Sequence, residues 1–242
     1  QALQIGSAAI LLGILILVAI THIEPPKPAS TDVKQEESEK LKTEEIFDQN
    51  KYKGLLTVRY LWFDGDIAMG DSILIQSPDG KTMLIDAGIP EAGQQVVNYL
   101  EKLGIQTIDI ALNTHPHSDH IGGFATVSSQ KEIKAFYMEN FPYTNSSYYR
   151  NSMAVIDGKR IPKTFLEEGS TFQLGNDVQF EVMSPPKGAL PDAIKTYQPA
   201  EINDYSMVFK MTYKENTFLF TADIYKRREI ELIGSAWEDK LK

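Results

Sequence analysis

A run of six residues, His115-Pro116-His117-Ser118-Asp119-His120, constrains this chain more than any other feature of its sequence. The run contains three of the four histidines in the chain, together with an aspartate. Neutral imidazole and carboxylate are natural ligands of zinc and of manganese-type cations. A single His-x-His pair would be weak support for a metal site, but this density of ligand residues predicts one strongly.

The elements predicted on either side of the run place it at the edge of a sheet. The apolar stretch Ile108–Asn113 predicts a strand that leads into the run, and a helix is predicted near Gly122–Ser128. The run is therefore expected to form a tight loop at the carboxyl end of a strand, where α/β proteins place their ligands.

The order of the ligand residues indicates two metal ions side by side. In extended backbone His115 and His117 point to the same side, so both can reach one ion. Asp119 and His120 lie past the turn and can face a second ion. Asp223 ends another predicted strand, and we expect its carboxylate to bridge the two ions rather than only to cap the following helix.

Three further polar residues are candidates for supporting roles. Asp86 follows a predicted strand; it could orient a ligand imidazole, or it could simply be a turn residue before Gly88, and the sequence leaves both roles open. Asn203 and Asp204 precede a predicted strand. Either could be a weak metal ligand, although a turn at the start of the strand is the favoured interpretation.

Four aromatic residues lie close together in the chain: Phe141, Tyr143, Tyr148 and Tyr149. They could form one side of a substrate site. Packing in the core or in a loop is the more common use of such residues, and it is the interpretation we favour.

Predicted strands and helices interleave from Leu55 onwards, with hairpins at both ends, which is typical of mixed sheets covered by helices. Pro90–Leu103 is a well-marked helix, because Pro stands at its start and Gly104 lies just past its end. The remaining predicted helices lie near Ser146–Ile156 and Tyr225–Ile233, and the remaining predicted strands are Leu56–Phe63, Ser72–Gln76, Thr82–Ile85, Ala135–Met138, Ser170–Leu174, Val178–Met183, Ser206–Tyr213 and Thr217–Thr221.

The first 23 residues differ from the rest, because they contain no Lys, Arg, Asp or Glu. The apolar stretch Ile5–Ile20 is typical of a membrane-spanning helix or of a signal peptide. We favour a retained transmembrane anchor over residues 1–23, because Val18–His22 is a poor cleavage site. Residues 24–51 have the composition of a flexible linker, and residues 52–242 make up the predicted folded domain.

The linker is net acidic, whereas cytoplasmic segments next to a membrane tend to be rich in Lys and Arg. We therefore expect a single-pass protein of the cell membrane whose domain lies outside the cytoplasm, or a secreted protein if the apolar segment is removed. Because the chain starts at Gln1 rather than Met, we also expect that residues precede it.

The overall composition excludes several classes of site. The chain has no cysteine, so a disulfide framework, a thiolate zinc site, a cysteine nucleophile and a lipid-modified cysteine are all excluded. The net charge is −9, from 33 acidic and 24 basic residues. That balance argues against a protein that coats nucleic acid, because such proteins neutralise phosphates with clustered Lys and Arg.

The segment Leu112–Gly123 (LNTHPHSDHIGG) resembles the signature of the metallo-β-lactamase superfamily. Further segments are similar to the ComEC-type branch, the metallo-hydrolase domain of competence DNA-uptake proteins and of small secreted relatives. The resemblance covers about Leu55 to Ile233. The similar segments are Gly70–Ser72, Leu84–Gly88, Leu103–Ile105, Glu168–Leu174, Val182–Pro186 and Asn203–Asp223.

The resemblance implies an αββα sandwich with two divalent metal ions at its rim, zinc first and manganese as the alternative. It assigns His115 and His117 to the first ion. It assigns Asp119 and His120 to the second ion, and the carboxylate of Asp223 to both.

The chain departs from the family pattern in its histidines. Many members have another histidine between the run and the bridging aspartate, and the pattern continues after the last helix with a histidine-containing motif. This chain has no histidine after His120. Asn203 or Asp204 could take the place of the first missing histidine. We expect the natural sequence to continue beyond Lys242 and to supply the second, since the second ion would otherwise lack a ligand.

These observations predict a metal-dependent hydrolase. Two ions that share a water would lower its pKa from about 15.7 towards 7, giving hydroxide at neutral pH. Asp119 is the predicted catalytic residue, because it can bind metal and orient that hydroxide. The resemblance favours a phosphodiester substrate, a nucleic acid or a nucleotide. A β-lactam, lactone or thioester hydrolase, and a catalytically silent binding module on the membrane, remain as alternatives.

The predicted partners are the membrane and the substrate, with no protein partner evident.

Overall fold

The computed structural model describes residues 45–66, 68–192, 194 and 198–240. The predicted membrane segment, residues 1–23, lies outside the described residues, and so do residues 24–44 of the predicted linker. Among the described residues, no helix is long and apolar enough to cross a membrane.

The histidine run follows the carboxyl end of a central strand in a six-stranded mixed sheet. Its first three strands pair antiparallel, and the strands that follow pair parallel. A tight turn joins its second and third strands, in which the Gly80 amide donates to the Ser77 carbonyl at 2.9 Å. In spatial order the strands are β1 (Thr57–Tyr60), β2 (Ile73–Gln76), β3 (Thr82–Ile85), β5 (Ile110–Leu112), β7 (Phe136–Met138) and β8 (Lys163–Phe165).

A second sheet of four antiparallel strands packs against the first. Its order is β12 (Asn216–Phe220), β11 (Val208–Tyr213), β10 (Val178–Ser184) and β9 (Thr171–Leu174). Two short strands, β4 (Thr107–Ile108) and β6 (Glu132–Ile133), form a separate parallel pair.

Alternating side chains of the first sheet point into two different cores. On β3, Met83 and Ile85 pack between the two sheets, whereas Leu84 faces the helices, as the two-residue period of a strand requires. The second sheet has helical cover of its own, since Leu232 and Trp237 pack on its outer side. The helices are α1 (Gly93–Lys102), α2 (Ser118–Ile121), α3 (Phe124–Gln130), α4 (Ser147–Gly158), α5 (Pro199–Asp204) and α6 (Lys226–Ile233).

The layers of the described residues therefore follow the order helix, sheet, sheet, helix. This is the αββα fold class expected from the sequence, and it is confirmed. The predicted strand Leu56–Phe63 is shorter than expected, because only Thr57–Tyr60 pairs with β2. The sequence did not predict β6, β8 or α5. The strand β8 lies at the edge of its sheet and is exposed along its length, so it carries no alternation of buried and exposed residues.

The last residues of the predicted linker contact the domain. A 3-10 turn covers Glu45–Phe47, and the Phe47 ring stacks on Tyr99 with 5.8 Å between the ring centroids. The side chain of Gln49 donates to the carbonyl of Leu103. Residues 45–49 thus pack against α1 and the turn that follows it.

Candidate metal centre

The histidine run lies between β5 and α3, at the edge where the sequence placed it. The helix begins earlier than predicted, because Ser118–Ile121 already forms the short helix α2. His117 is the last extended residue, and its carbonyl accepts the amide of Ile121 at 2.9 Å. Asp119 and His120 are therefore held on a helical turn, while His115 and His117 precede it.

The imidazoles of the run face one another. The Nε2 atom of His115 lies 2.9 Å from Nδ1 of His117, and the rings of His115 and His120 are 4.0 Å apart. Two nitrogens bound to one tetrahedral zinc, each at about 2.0–2.1 Å from it, would lie about 3.3 Å apart. The observed spacing of the nitrogens is close to that value, so the pair fits a common metal ion.

Carboxylates complete the group. Nε2 of His120 lies 3.4 Å from Oδ1 of Asp223 and 4.0 Å from Oδ2 of Asp119. One ligand atom from each of His115, His120 and Asp223 lies within 4.8 Å of the other two. The donor set is nitrogen and oxygen only, which suits zinc and other borderline divalent cations.

Asp86 lies beneath the histidines and accepts four hydrogen bonds. Its Oδ1 accepts the Asn113 side chain at 3.0 Å and the Thr114 amide at 2.8 Å. Its Oδ2 lies 2.7 Å from the Thr114 hydroxyl, which donates to it, and 2.8 Å from Nδ1 of His120. The Thr114 hydroxyl also lies 3.1 Å from Nδ1 of His115. One buried carboxylate thus contacts His120 directly and His115 through Thr114. This is the position that an orienting role requires.

The electrostatics of the site match a metal-binding role. Burial lowers the pKa of His115 well below its usual value and also lowers the pKa of His117, so both rings are neutral ligands at neutral pH. Burial acts in the same direction on His120, but the carboxylates of Asp86 and Asp223 outweigh it and raise the pKa of His120 well above its usual value. The hydrogen bond from His120 lowers the pKa of Asp223. A divalent cation would replace the proton that His120 holds here.

Backbone contacts fix the turn that carries Asp119 and His120. The amide of Asp71 donates to the Asp119 carbonyl at 3.1 Å, and the amide of Ala87 donates to the His120 carbonyl at 2.9 Å. Gly70 has a φ of +81°, and a Cβ atom added there would lie 1.9 Å from the Asp119 carbonyl oxygen. Only glycine therefore fits at position 70.

The structure separates the two candidates at the end of α5. The carboxylate of Asp204 accepts Nε of Arg227 at 2.8 Å and the amide of Tyr225 at 3.3 Å, so it serves as a structural anchor for α6. Asn203 is 6% exposed, and its side chain interacts with His117. Its Oδ1 makes no hydrogen bond within the described residues. Asn203, rather than Asp204, lies beside the histidine run.

Two acidic residues near the site were not predicted. Burial and the nearby carboxylates of Asp86, Asp223 and Asp119 raise the pKa of Asp71, although His120 opposes them. The Gly70–Ser72 segment could have identified it, but that segment entered the sequence analysis only as part of a resemblance. Glu139 is fully buried just after β7, and neither of its carboxyl oxygens has a hydrogen-bond partner in the described residues.

A cleft of about 610 Å³ opens from the metal centre. His117, Asp119 and Asp223 line it on the metal side. The rest of the lining is polar and aromatic, with Asn145–Tyr148 at the start of α4 and Tyr225 just before α6 among its members. The cleft therefore gives a substrate access to His117, Asp119 and Asp223.

The fold and the metal centre agree with a comparison of the sequence with protein families. A model of the metallo-beta-lactamase superfamily matches residues 65–240. The chain belongs to this superfamily. Members are generally metal-dependent hydrolases that bind divalent metals, typically zinc or iron. No curated protein sequence matches the chain significantly.

Solved structures with a similar fold include a metallo-beta-lactamase HARLDQ motif mutant from Cronobacter sakazakii, at 20% identity and a TM-score of 0.43. The match covers 67% of this chain and 60% of that chain, so our chain spans less than two thirds of its length. A putative metallo-beta-lactamase from Thermotoga maritima matches at 17% identity and a TM-score of 0.47, over 77% of this chain and 89% of that one. CmlA, a diiron beta-hydroxylase from Streptomyces venezuelae, matches at 14% identity and a TM-score of 0.42, over 69% and 31%.

Proposed function

We propose that this protein is a metal-dependent hydrolase of phosphodiesters, with nucleotides or nucleic acids as substrates. One observation carries the proposal: the ligand atoms of His115, His120 and Asp223 lie within 4.8 Å of one another. Two neighbouring site residues, His117 and Asp119, line a cleft large enough for a small substrate.

The residues that would hold two divalent ions, zinc or manganese, are His115, His117, Asp119, His120 and Asp223. When bound, such ions supply Lewis-acid chemistry and lower the pKa of a shared water from about 15.7 towards 7. The buried amide of Asn203 is the only further oxygen donor that we add to this set, in place of the histidine that many relatives have there.

The protein side chains divide the remaining tasks. Asp86 keeps His120 and, through Thr114, His115 in the orientation that directs their Nε2 atoms to the centre. Asp119 has a side chain that is 47% exposed, so it can accept a hydrogen bond from the attacking water and orient it. In the reaction the water oxygen bonds to phosphorus and one phosphorus–oxygen ester bond breaks. One water proton goes to the departing alcohol and the other to the phosphomonoester.

The choice of a phosphodiester rests on the resemblance to the ComEC-type branch. The cleft itself supports an anionic, partly aromatic substrate, because tyrosines and the amino end of α4 line it.

We also propose that residues 1–23 anchor the protein in the cell membrane, with the domain outside the cytoplasm. That part of the proposal rests on the apolar sequence and on the acidic linker.

The test uses the whole chain, with metal content measured per chain and with hydrolysis measured on a panel of chromogenic substrates. The panel contains a phosphodiester, a cephalosporin, a lactone and a thioester. We expect two ions per chain, as for a two-metal site, and cleavage of the phosphodiester above the others. His115→Ala should retain no more than about one ion and should lose activity, because zinc needs at least three protein ligands.

His22→Ala removes the one histidine outside the run and serves as the matched control. It should leave metal content and activity unchanged. Preferential cleavage of the cephalosporin, lactone or thioester would replace the phosphodiester proposal by one of its alternatives. A parent chain that holds no metal would leave a binding module and would rule out the hydrolytic mechanism.

A further inference from the structure

Two tyrosines that line the cleft, Tyr148 and Tyr225, are exposed, whereas the other members of the predicted aromatic segment are buried. In the predicted aromatic segment, Phe141, Tyr143 and Tyr149 are at most 9% exposed and pack in the core. Tyr148 is 46% exposed, and Tyr225, from a distant part of the chain, is 49% exposed. Both line the cleft of the metal centre. Packing, the interpretation favoured from the sequence, therefore explains Phe141 and Tyr149, whereas Tyr143 is buried but also lines the cleft and Tyr148 is exposed there.

The backbone holds both tyrosines in fixed positions. Tyr148 lies in the first turn of α4, whose N-cap is Ser146, and Arg150 donates to the Thr144 carbonyl at 2.7 Å to brace the preceding loop. Tyr225 is the N-cap of α6, two residues after Asp223. Its amide bonds the buried Asp204 carboxylate. Both tyrosines thus stand on anchored backbone and line the same cleft as His117, Asp119 and Asp223, which suits a flat, aromatic group.

A buried acceptor in the same cleft lacks a partner. Asn203 is 6% exposed, lines the cleft, and its Oδ1 makes no hydrogen bond within the described residues. Leaving such a group unsatisfied costs about 1–3 kcal/mol, so a ligand or water that donates to it is expected. Asn203 therefore adds an oxygen acceptor to the metal side of the cleft.

Charge argues for a short substrate. Among the described residues that line the cleft there is no Lys or Arg. Long or duplex nucleic acid is gripped by many contacts between basic residues and phosphates. Single-stranded nucleotides can instead be held by stacking of their bases on aromatic side chains. The cleft volume of about 610 Å³ lies in the range for small-molecule ligands.

We infer that the substrate is a short single-stranded nucleotide, whose base stacks on Tyr148 and Tyr225 while its phosphodiester lies at the metal centre. The inference rests on the proposed function, and it narrows that function to nucleotides or nucleic-acid ends. The hydroxyl groups of Ser146 and Ser147, which line the cleft, would contact the sugar.

The test compares the binding of two probes to the metal-loaded whole chain by calorimetry: thymidine monophosphate, and deoxyribose phosphate, which lacks the base. Neither is a phosphodiester, so binding is read without turnover. Stacking contributes about 1–3 kcal/mol per base, which is a factor of about 5 to 150. We expect thymidine monophosphate to bind at least about 5-fold more tightly. Tyr148→Ala and Tyr225→Ala should each reduce that ratio and should leave the binding of deoxyribose phosphate unchanged.

Tyr60→Ala is the matched control, because Tyr60 is 73% exposed and does not line the cleft. It should keep the parent ratio. Equal binding of the two probes to the parent chain would overturn the inference, even if a phosphodiester is hydrolysed. A base-dependent ratio that both cleft variants lose would support the nucleotide subsite even if the phosphodiester assay fails, so the two proposals can fail separately.

Discussion

The metal centre has a buried back and an open front, and the two are built differently. At the back, His115, His120 and Asp86 are at most 3% exposed, and each makes hydrogen bonds inside the protein. At the front, the side chains of Asp119 and Asp223 are 47% and 32% exposed and face the cleft. The back fixes imidazoles in place before any ion arrives, whereas the front leaves carboxylates within reach of water and substrate.

The difference in exposure between back and front shows how one short run can supply both rigid ligands and an open side. A catalytic metal site needs ligands that are rigid enough to bind tightly, and it also needs an open side for the reacting groups. The strand β5 ends in the buried interior and supplies the rigid part. The short helix α2 then presents the Asp119 side chain to the cleft, and the hydrogen bond from the Asp71 amide holds the Asp119 carbonyl at that turn.

Asp86→Ala tests the back of the site, and we expect it to have the largest effect. It removes the acceptor for His120 and for Thr114, so both buried imidazoles lose their orientation. Loss of such a support typically lowers metal affinity by about 10- to 100-fold. Competition with a chelator should show weaker binding of every ion that the centre holds.

Asp109→Ala is the control for that experiment. Asp109 also accepts a backbone amide, that of Thr82, and pairs with Lys134, but neither partner belongs to the metal centre. Its variant should bind metal like the parent chain. If Asp86→Ala also binds metal like the parent, the histidines are positioned by packing alone, and the contrast between back and front loses its physical basis.

Gly70→Ala tests the front, and its expected effect is smaller. Gly70 and Gly80 have nearly the same φ, +81° and +82°, so alanine is strained equally at both positions. Only at Gly70 would the added Cβ meet the Asp119 carbonyl. Overpacking of this kind costs about 1–3 kcal/mol. We expect Gly70→Ala to lower the binding affinity for one of the two metal ions by about 10-fold. Gly80→Ala should leave metal binding unchanged.

The readout is the number of ions per chain at increasing chelator concentration, together with the melting temperature of the metal-free protein. Gly70→Ala should melt below Gly80→Ala because of its overpacking, and weaker binding of the second ion alone would place the effect on metal binding at Asp119. Equal weakening of both ions would mean that front and back act as one unit.

The sequence could predict which donor residues come together, but not the residues that support them. The histidine run, Asp223 and the αββα class follow from residue type, spacing and resemblance, because ligand atoms at strand ends are a local feature. The hydrogen bond between Asp86 and His120 joins residues 34 positions apart, and the sequence could give only an even choice for Asp86. Asp204 binds Arg227, which lies on another helix, and this leaves Asn203 as the residue that faces the histidines. Such pairings arise from tertiary packing, which spacing along the chain does not encode.

Glu139→Gln gives the smallest expected effect and tests whether the back of the site is dry. Glu139 is fully buried, and burial raises the pKa of its carboxyl well above the usual value, with the charge of Asp86 acting in the same direction. The folded protein therefore binds this proton more tightly than the unfolded chain does. The stability linked to this proton is present below the unfolded pKa of about 4.3 and is lost as the pH rises through the folded pKa.

Glutamine has no such proton, so Glu139→Gln should gain stability relative to the parent as the pH rises from 5 to 8. Each tenfold difference in proton affinity is about 1.4 kcal/mol, or about 3–6 °C in melting temperature for a domain of this size. Melting of the metal-free proteins at both pH values measures the gain, and Glu132→Gln, on the exposed strand position before Ile133, is the control. A difference that does not change with pH would mean that water reaches Glu139. The back of the metal centre would then be hydrated, and its rigidity would have to come from hydrogen bonds rather than from exclusion of solvent.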